Sequence, residues 1–411
     1  MSLTKTHNRM IEGSVINVAD FGALPSASAS TNVTSIQAAI DSISSGESAT
    51  LVFPKGTYDI NGTINTNNRT LVIDGGGAIL NMSEDVNYMF TVSGTACEVK
   101  NLFFTKGSGV TGSVFYVTGI RHVFNNLQSG NALWTYFFHL VDLKESKFSN
   151  LNVYLDTAGL TGAIFRLDHC VNNTFSDSFI GYCEHGVFES ATPNPTYGYN
   201  SEGWLMSNVI IVYPQKAMTL SQGTLFSVNN CLFDFCKTWG IFQSNGNNLK
   251  VMNTWIASDT TNGFIGIGTL AVVSGVSVIG NVFVRGAAAI TGTSGVSLQG
   301  QNALVIGNAF QSGMNGGTVT SNNSQVIGNS VSSPGINIVA NNTASTILGD
   351  LSVEDSLTVN GSKGIFPQGV SGTATTQAGG STLPALAKGY VTVNFDSGAG
   401  LTDYKIPYYA V

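Results

Sequence analysis

Charge is what this 411-residue chain has least of: Asp, Glu, Lys and Arg make up 10% of it, 17 basic against 24 acidic side chains, for a net charge of -7. The few Lys and Arg are scattered, so nothing builds the basic stripe that a phosphate backbone requires, and nucleic acid is not an expected partner. Cysteine is sparse too. Cys97, Cys170, Cys183, Cys231 and Cys236 form no C-x-x-C and lie in apolar, strand-like runs, which reads as reduced core thiols. The most apolar long segment, 264–280, is punctuated by glycine and excludes a membrane-spanning helix. The first 15 residues carry charge without the apolar core of a secretory signal. Helical periodicity is nearly absent, whereas glycine is abundant, with 48 residues.

What is present is a repeat. Asparagines recur in similar contexts at Asn101, Asn126, Asn150, Asn173, Asn208, Asn230, Asn253, Asn281, Asn308 and Asn329, spaced by 21 to 28 residues apart from one gap of 35. Two positions before each stands an apolar residue, from Val99, Phe124 and Phe148 to Ile279, Ile306 and Ile327. An apolar flank of period two predicts strands, and a repeat of this length predicts one coil of a solenoid. Gly or Asn at the corners suits an all-β, right-handed parallel β-helix, in which stacked amides hydrogen-bond from rung to rung. The tetrapeptide VIGN at 278–281, 305–308 and 326–329 is its clearest literal copy.

A solenoid needs covered ends. Ile36, Ala39, Ile40 and Ile43 recur at helical spacing, which predicts a capping helix over 33–44 with Asn32 or Thr34 as N-cap. The expected domains are an anchor segment 1–15, a β-helix 16–345 and a β-rich tip 346–411, the last ending in a hairpin around the DSGAG of 396–400. Two strands cannot hold a core alone, so the tip is expected to fold against other copies.

Four segments, INVADFGA (16–23), TSIQAAIDSI (34–43), LVFPKGTYDI (51–60) and LVIDGGGAIL (71–80), resemble the start of the pectate-lyase-like β-helix superfamily, and within it the bacteriophage tailspikes. The resemblance implies a homotrimer of side-by-side β-helices in the virion tail that binds and cleaves bacterial surface polysaccharide. It also implies a trimerising tip around LGDLSVEDSLTVNG (348–361), and attachment through the N-terminus to the phage tail or an adaptor protein.

The 35-residue gap maps to an insertion at 191–204 that carries Tyr197, Tyr199 and Trp204 beside Glu202, a composition suited to stacking on sugars. Endo-acting hydrolysis needs two carboxyl groups. Asp234, in NNCLFDFCKTWG beside Trp239, resembles the aspartate that carries a catalytic acid in several tailspikes. Glu202 and Asp234 are therefore the expected catalytic pair, within one chain or across neighbouring subunits, with Asp177 and Glu184 in reserve. Asp177 and Asp234 each follow a repeat asparagine by four residues and are expected to stack two rungs apart. Tyr197, Tyr199, Trp204 and Trp239 are the expected sugar-binding residues.

The polygalacturonase motif set is missing; Asn253-Thr254-Trp255 and Glu184-His185-Gly186 are its nearest fragments. His122 and His169 are placed four residues before repeat asparagines and are read as strand-packing residues, so no metal or cofactor is expected. Two further functions stay open: a non-catalytic receptor-binding spike, and a lyase acting on uronic acids. Arg166 with Asp168 is the one weak lyase candidate, and the net negative charge disfavours a polyanionic substrate.

Overall fold

Short runs of alternating residues bury one face each and must pair with neighbours to satisfy their backbones, so a repeat of such runs stacks. The computed structural model describes residues 14–331 apart from 45, 131, 133, 156–161, 190–200, 260 and 287–290, together with 336–338, 346–348, 389–396 and 401–408. It is a right-handed parallel β-solenoid of about ten turns with one α-helix. Among the described residues, one sheet has 21 strands and a second has 12, and each strand pairs in parallel with the equivalent strand one turn away. Between them lies a continuous apolar interior in which Phe115, Phe138 and Phe165 stack from rung to rung at 5.0 Å and 5.0 Å. All five cysteines are buried and unpaired.

The chain falls into two compact units, 1–351 and 352–411. Strands Gly389–Asp396 and Leu401–Tyr408 of the second unit form an antiparallel pair. In the first unit the sheet already begins at Ser14–Asn17 and still includes Thr346–Leu348, so it overruns the expected domain limits at both ends. The anchor segment before residue 14 and most of the tip lie outside the described residues.

The capping helix α1 (Ala29–Asp41) starts earlier than expected, and Ser28 is its N-cap, accepting from the Thr31 N–H. The periodicity misses the first turn because its inward residue is polar. Asn32 is fully buried, accepts from the Leu24 N–H and donates to the Asp59 carbonyl.

The asparagine column also needs a correction. Strand register runs one corner through Asn101, Asn126, Asn150, Asp177, Asn208, Asn230 and Asn253, and then through Gly280, Gly307 and Gly328. All ten have φ between 49° and 65°, the left-handed region that Asn, Asp and Gly tolerate. Glycine occupies that corner in the last three rungs, and the following Asn281, Asn308 and Asn329 turn inward instead. There Asn281 Nδ2 donates to the Val251 carbonyl at 2.9 Å, and its N–H donates to Asn308 Oδ1 at 2.9 Å. Asn173 belongs to a different bend, where its Oδ1 accepts from the Ser146 N–H. His122 shares that bend and His169 does not, so the two histidines are not in one column.

Candidate functional site

Strands of the second sheet turn alternate residues outward, and parallel register stacks those residues in columns along the coil. Tyr116, His139 and Arg166 are one such column on three successive rungs. Asp168 lies two residues beyond Arg166 on the same strand, Ala163–Asp168, and so shares its face. In Tyr136–Val141 two consecutive residues, Phe137 and Phe138, are buried, which leaves both Tyr136 and His139 facing outward.

These side chains interlock. His139 Nε2 is 2.6 Å from Asp168 Oδ2, and His139 Nδ1 is 2.6 Å from the Tyr88 hydroxyl. A carboxylate can only accept, so Nε2 carries a proton, and a ring protonated at Nε2 alone accepts from the Tyr88 hydroxyl at Nδ1. Arg166 donates from Nε to Asp168 at 3.1 Å and from Nη1 to the Tyr136 hydroxyl at 3.0 Å, with its guanidinium 5.3 Å from the Tyr136 ring centre. The Tyr116 ring meets His139 edge-on at 5.3 Å. His139 and Asp168 keep only 12% and 13% of their side-chain surface exposed, so this chain is largely shielded from water. Burial first, then the Tyr116 hydroxyl, pushes the Tyr88 phenol above its ordinary value. Tyr88 and Tyr136 also line an open cleft of about 460 Å³ with Asp85, Asn87, Thr111 and Thr135.

Farther along the same face is a second polar group. Glu184 Oε1 lies 3.4 Å from both His185 Nε2 and Lys216 Nζ. Lys216 sits 5.1 Å over the Trp239 ring, and both His185 and the Trp239 indole N–H meet the Thr219 hydroxyl. Burial, and then the Lys216 charge, pull the His185 imidazole down to about 4.

The other expected residues are placed differently. Trp204 is 2% exposed and packs inside the coil against Phe148 and Phe165, so it cannot stack on a sugar. The bend before strand Leu205–Val212 turns Trp204 inward and Leu205 outward. Tyr197 and Tyr199 lie outside the described residues. Asp177 occupies a ladder corner, where the amide of Asn208 and then Ser176 hold its carboxyl below the usual range. It does not stack with Asp234, which pairs through Val212 with Gly181, four residues past Asp177. Glu202 bridges Val171 and Thr224, and Thr224 precedes Asp234 by ten residues (234 − 224), so one rung and ten residues of path separate the expected pair within a chain. Asp234 faces outward from the first sheet, and burial raises its carboxyl above the ordinary value. Tyr88, Tyr136 and His139 were not singled out from sequence. The 27-residue step from His139 to Arg166 (166 − 139), one repeat length, was the available signal.

No family model matches the chain, and no curated protein matches it by sequence. Solved structures do. The tailspike of Escherichia coli bacteriophage HK620, as a point mutant in complex with a pentasaccharide, is similar with a TM-score of 0.58 at 12% identity over 81% of this chain and 67% of that one. The chain has the fold of the phage tailspikes. The same fold aligns with the Acinetobacter baumannii phage AM24 tailspike (TM-score 0.51, 11% identity, 72% of this chain and 54% of that one). It aligns too with the A-module of the Azotobacter vinelandii mannuronan C-5 epimerase AlgE6 (TM-score 0.52, 15% identity, 81% and 98%). At such identities the parallel β-helix fold is what is shared.

Proposed function

We propose that this chain is a phage tailspike that binds a bacterial surface polysaccharide along the outer face of its second sheet and cleaves it within the polymer. In this reading it acts as a homotrimer in the virion tail, joined through its N-terminus to the tail or an adaptor. The observation that carries the reading is the Asp168–His139–Tyr88 relay, two contacts of 2.6 Å leading to a phenol in the wall of a cleft. Geometry of this kind moves a proton: Tyr88 gives its proton to His139, and Asp168 balances the imidazolium that forms.

The relay holds one carboxylate rather than the two that hydrolysis uses, and it ends in a group far more basic than a carboxylate. That suits elimination from a uronate unit. Tyr88 oxygen removes the proton from the carbon beside the sugar carboxylate, the bond to the linking oxygen breaks as the ring double bond forms, and that oxygen takes the proton back from Tyr88. Arg166 supplies the local positive charge for the substrate carboxylate, whatever the net charge of the chain.

A second reading is hydrolysis by Glu202 and Asp234 contributed by neighbouring subunits, which the raised carboxyl of Asp234 favours. The test is incubation with a panel of host polysaccharides, following reducing ends and the ultraviolet absorbance of unsaturated uronates. Unsaturated ends that disappear in Tyr88→Phe support the relay. Reducing ends without unsaturation, unchanged in Tyr88→Phe and lost in Glu202→Gln or Asp234→Asn, support the second reading. Binding without either product leaves a receptor-binding spike.

A further inference from the structure

The first sheet carries a strip unlike the rest of the surface. Ile210, Leu232 and Trp255 form one outward column over three successive rungs, and Ile210 and Trp255 are each 38% exposed. Beside it, at the bend three residues past Phe179, Ile210 and Leu232 on their successive rungs, Tyr182, Tyr213 and Phe235 stack ring on ring, 5.0 Å and 4.6 Å between centres with planes 6° and 7° apart. These bends have φ of 52°, 53° and 55°, a region that bulky side chains rarely occupy, so an aromatic ladder stands where Asn or Gly would be easier.

Four observations narrow what covers the strip. Tyr213 has both ring faces covered by Tyr182 and Phe235, and each end ring gives one face to it, so the ladder offers few free faces to sugars, which pack on ring faces. Ile210, Tyr213, Phe235 and Trp255, each 38% or 39% exposed, leave an apolar area on the order of 400 Å², the size of a monomer's largest, often functional patch and about half of what each partner of a specific interface buries. The asparagine corner at Asn208, Asn230 and Asn253 borders the strip and supplies a polar rim. Finally, the strip repeats once per rung, about every 4.8 Å, so a surface that meets it rung for rung must carry the same spacing. A neighbouring coil of the same chain has that spacing.

We propose that this strip is the face on which the β-helix packs against a second copy of the chain. The proposal rests on the homotrimeric reading above and adds to it which face turns inward, leaving the Tyr88 face open to polymer.

The test places a photoreactive phenylalanine analogue at position 235 of the full-length protein, and in a control at Val272, which is 65% exposed and away from the strip. Native mass and cross-linked products are then measured with and without host polysaccharide. A trimer that cross-links to itself from 235 and not from 272 is the expected result, with acrylamide quenching of Trp255 increasing in Phe235→Asp as copies separate. A trimer with no self-cross-link from 235 overturns the face assignment and leaves the trimeric reading standing. A monomer without self-cross-links overturns both. A cross-link from 235 to polysaccharide instead of protein makes the strip a sugar surface and overturns the proposal.

Discussion

Tyr88 and His139 are 51 residues apart in the chain, yet the tyrosine hydroxyl and the imidazole Nδ1 are 2.6 Å apart. The contact spans rungs, from strand Val86–Val92 across Gly112–Val117 to Tyr136–Val141, and a long side chain on a rigid stack of strands makes it. His139 is pinned at its other nitrogen by Asp168, so the ring has one orientation and the phenol one acceptor.

Asp168→Asn tests that orientation. An amide in place of the carboxylate no longer holds the proton on Nε2 and no longer balances an imidazolium, while Arg166 loses its charge partner. Turnover of the cleaved polysaccharide should fall about 10²–10⁴-fold with little change in affinity for oligosaccharides, the size of loss that removing general acid–base support produces. Turnover within about threefold of wild type would exclude the relay from chemistry, since general acid–base support is worth far more than that.

Trp204 should behave as a core residue and not as a ligand platform. Trp204→Ala is expected to cost about 3–5 kcal/mol, the range for emptying a large aromatic site. Trp204→Phe is expected to cost about 1 kcal/mol or less, because the indole N–H finds no hydrogen-bond partner among the described residues and its loss carries no penalty. Thermal unfolding gives the first comparison and polysaccharide affinity the second, which should not move in the Phe variant.

The two kinds of asparagine should respond oppositely to small residues. Asn230 sits at φ 52° and donates to Asn208 Oδ1 at 2.8 Å, so Asn230→Gly should be nearly neutral and Asn230→Ala should cost about 1–2 kcal/mol from left-handed strain. Asn308 is buried, donating to the Val278 carbonyl and accepting from the Asn281 N–H. Asn308→Ala strips both partners and should cost about 1–3 kcal/mol, and Asn308→Gly at least as much. Urea unfolding of the four variants separates the two roles.

The solenoid was legible because its signal is repeated: an apolar residue before a corner, ten times, survives a few misassigned positions. The register was less legible because Asn serves two physical roles. At Asn208 it relieves a left-handed corner, while at Asn281, Asn308 and Asn173 it ties buried backbone, so aligning every Asn shifted the last three rungs by one residue and one middle rung by four. That shift is what brought Asp177 and Asp234 together on paper. The relay was hidden for another reason. Tyr88, His139 and Asp168 lie on three different strands and are joined only by side-chain reach across the stack, which no local spacing encodes. The carboxylates of Glu202 and Asp234 drew attention through composition, yet composition does not say which side of a coil a residue takes.

Glu189 sets how stability should depend on pH. It shares an inward column with Leu167, is 1% exposed, and its two oxygens accept from the Ser201 and Gln222 N–H groups at 3.2 Å and 2.9 Å. Burial outweighs those bonds and raises its carboxyl from 4.5 to about 7. With the folded value above the unfolded one, the folded state holds a proton that the unfolded chain has already lost. Stability is therefore greatest below about pH 4.5, falls as pH rises toward about 7 and is flat beyond, a loss of up to about 3 kcal/mol from this group. Glu189→Gln keeps the side chain neutral throughout and should flatten that slope, gaining on wild type at about pH 8 and not at about pH 4. Urea midpoints of both proteins across that range check it, and parallel curves would show that Glu189 is ionised in the fold.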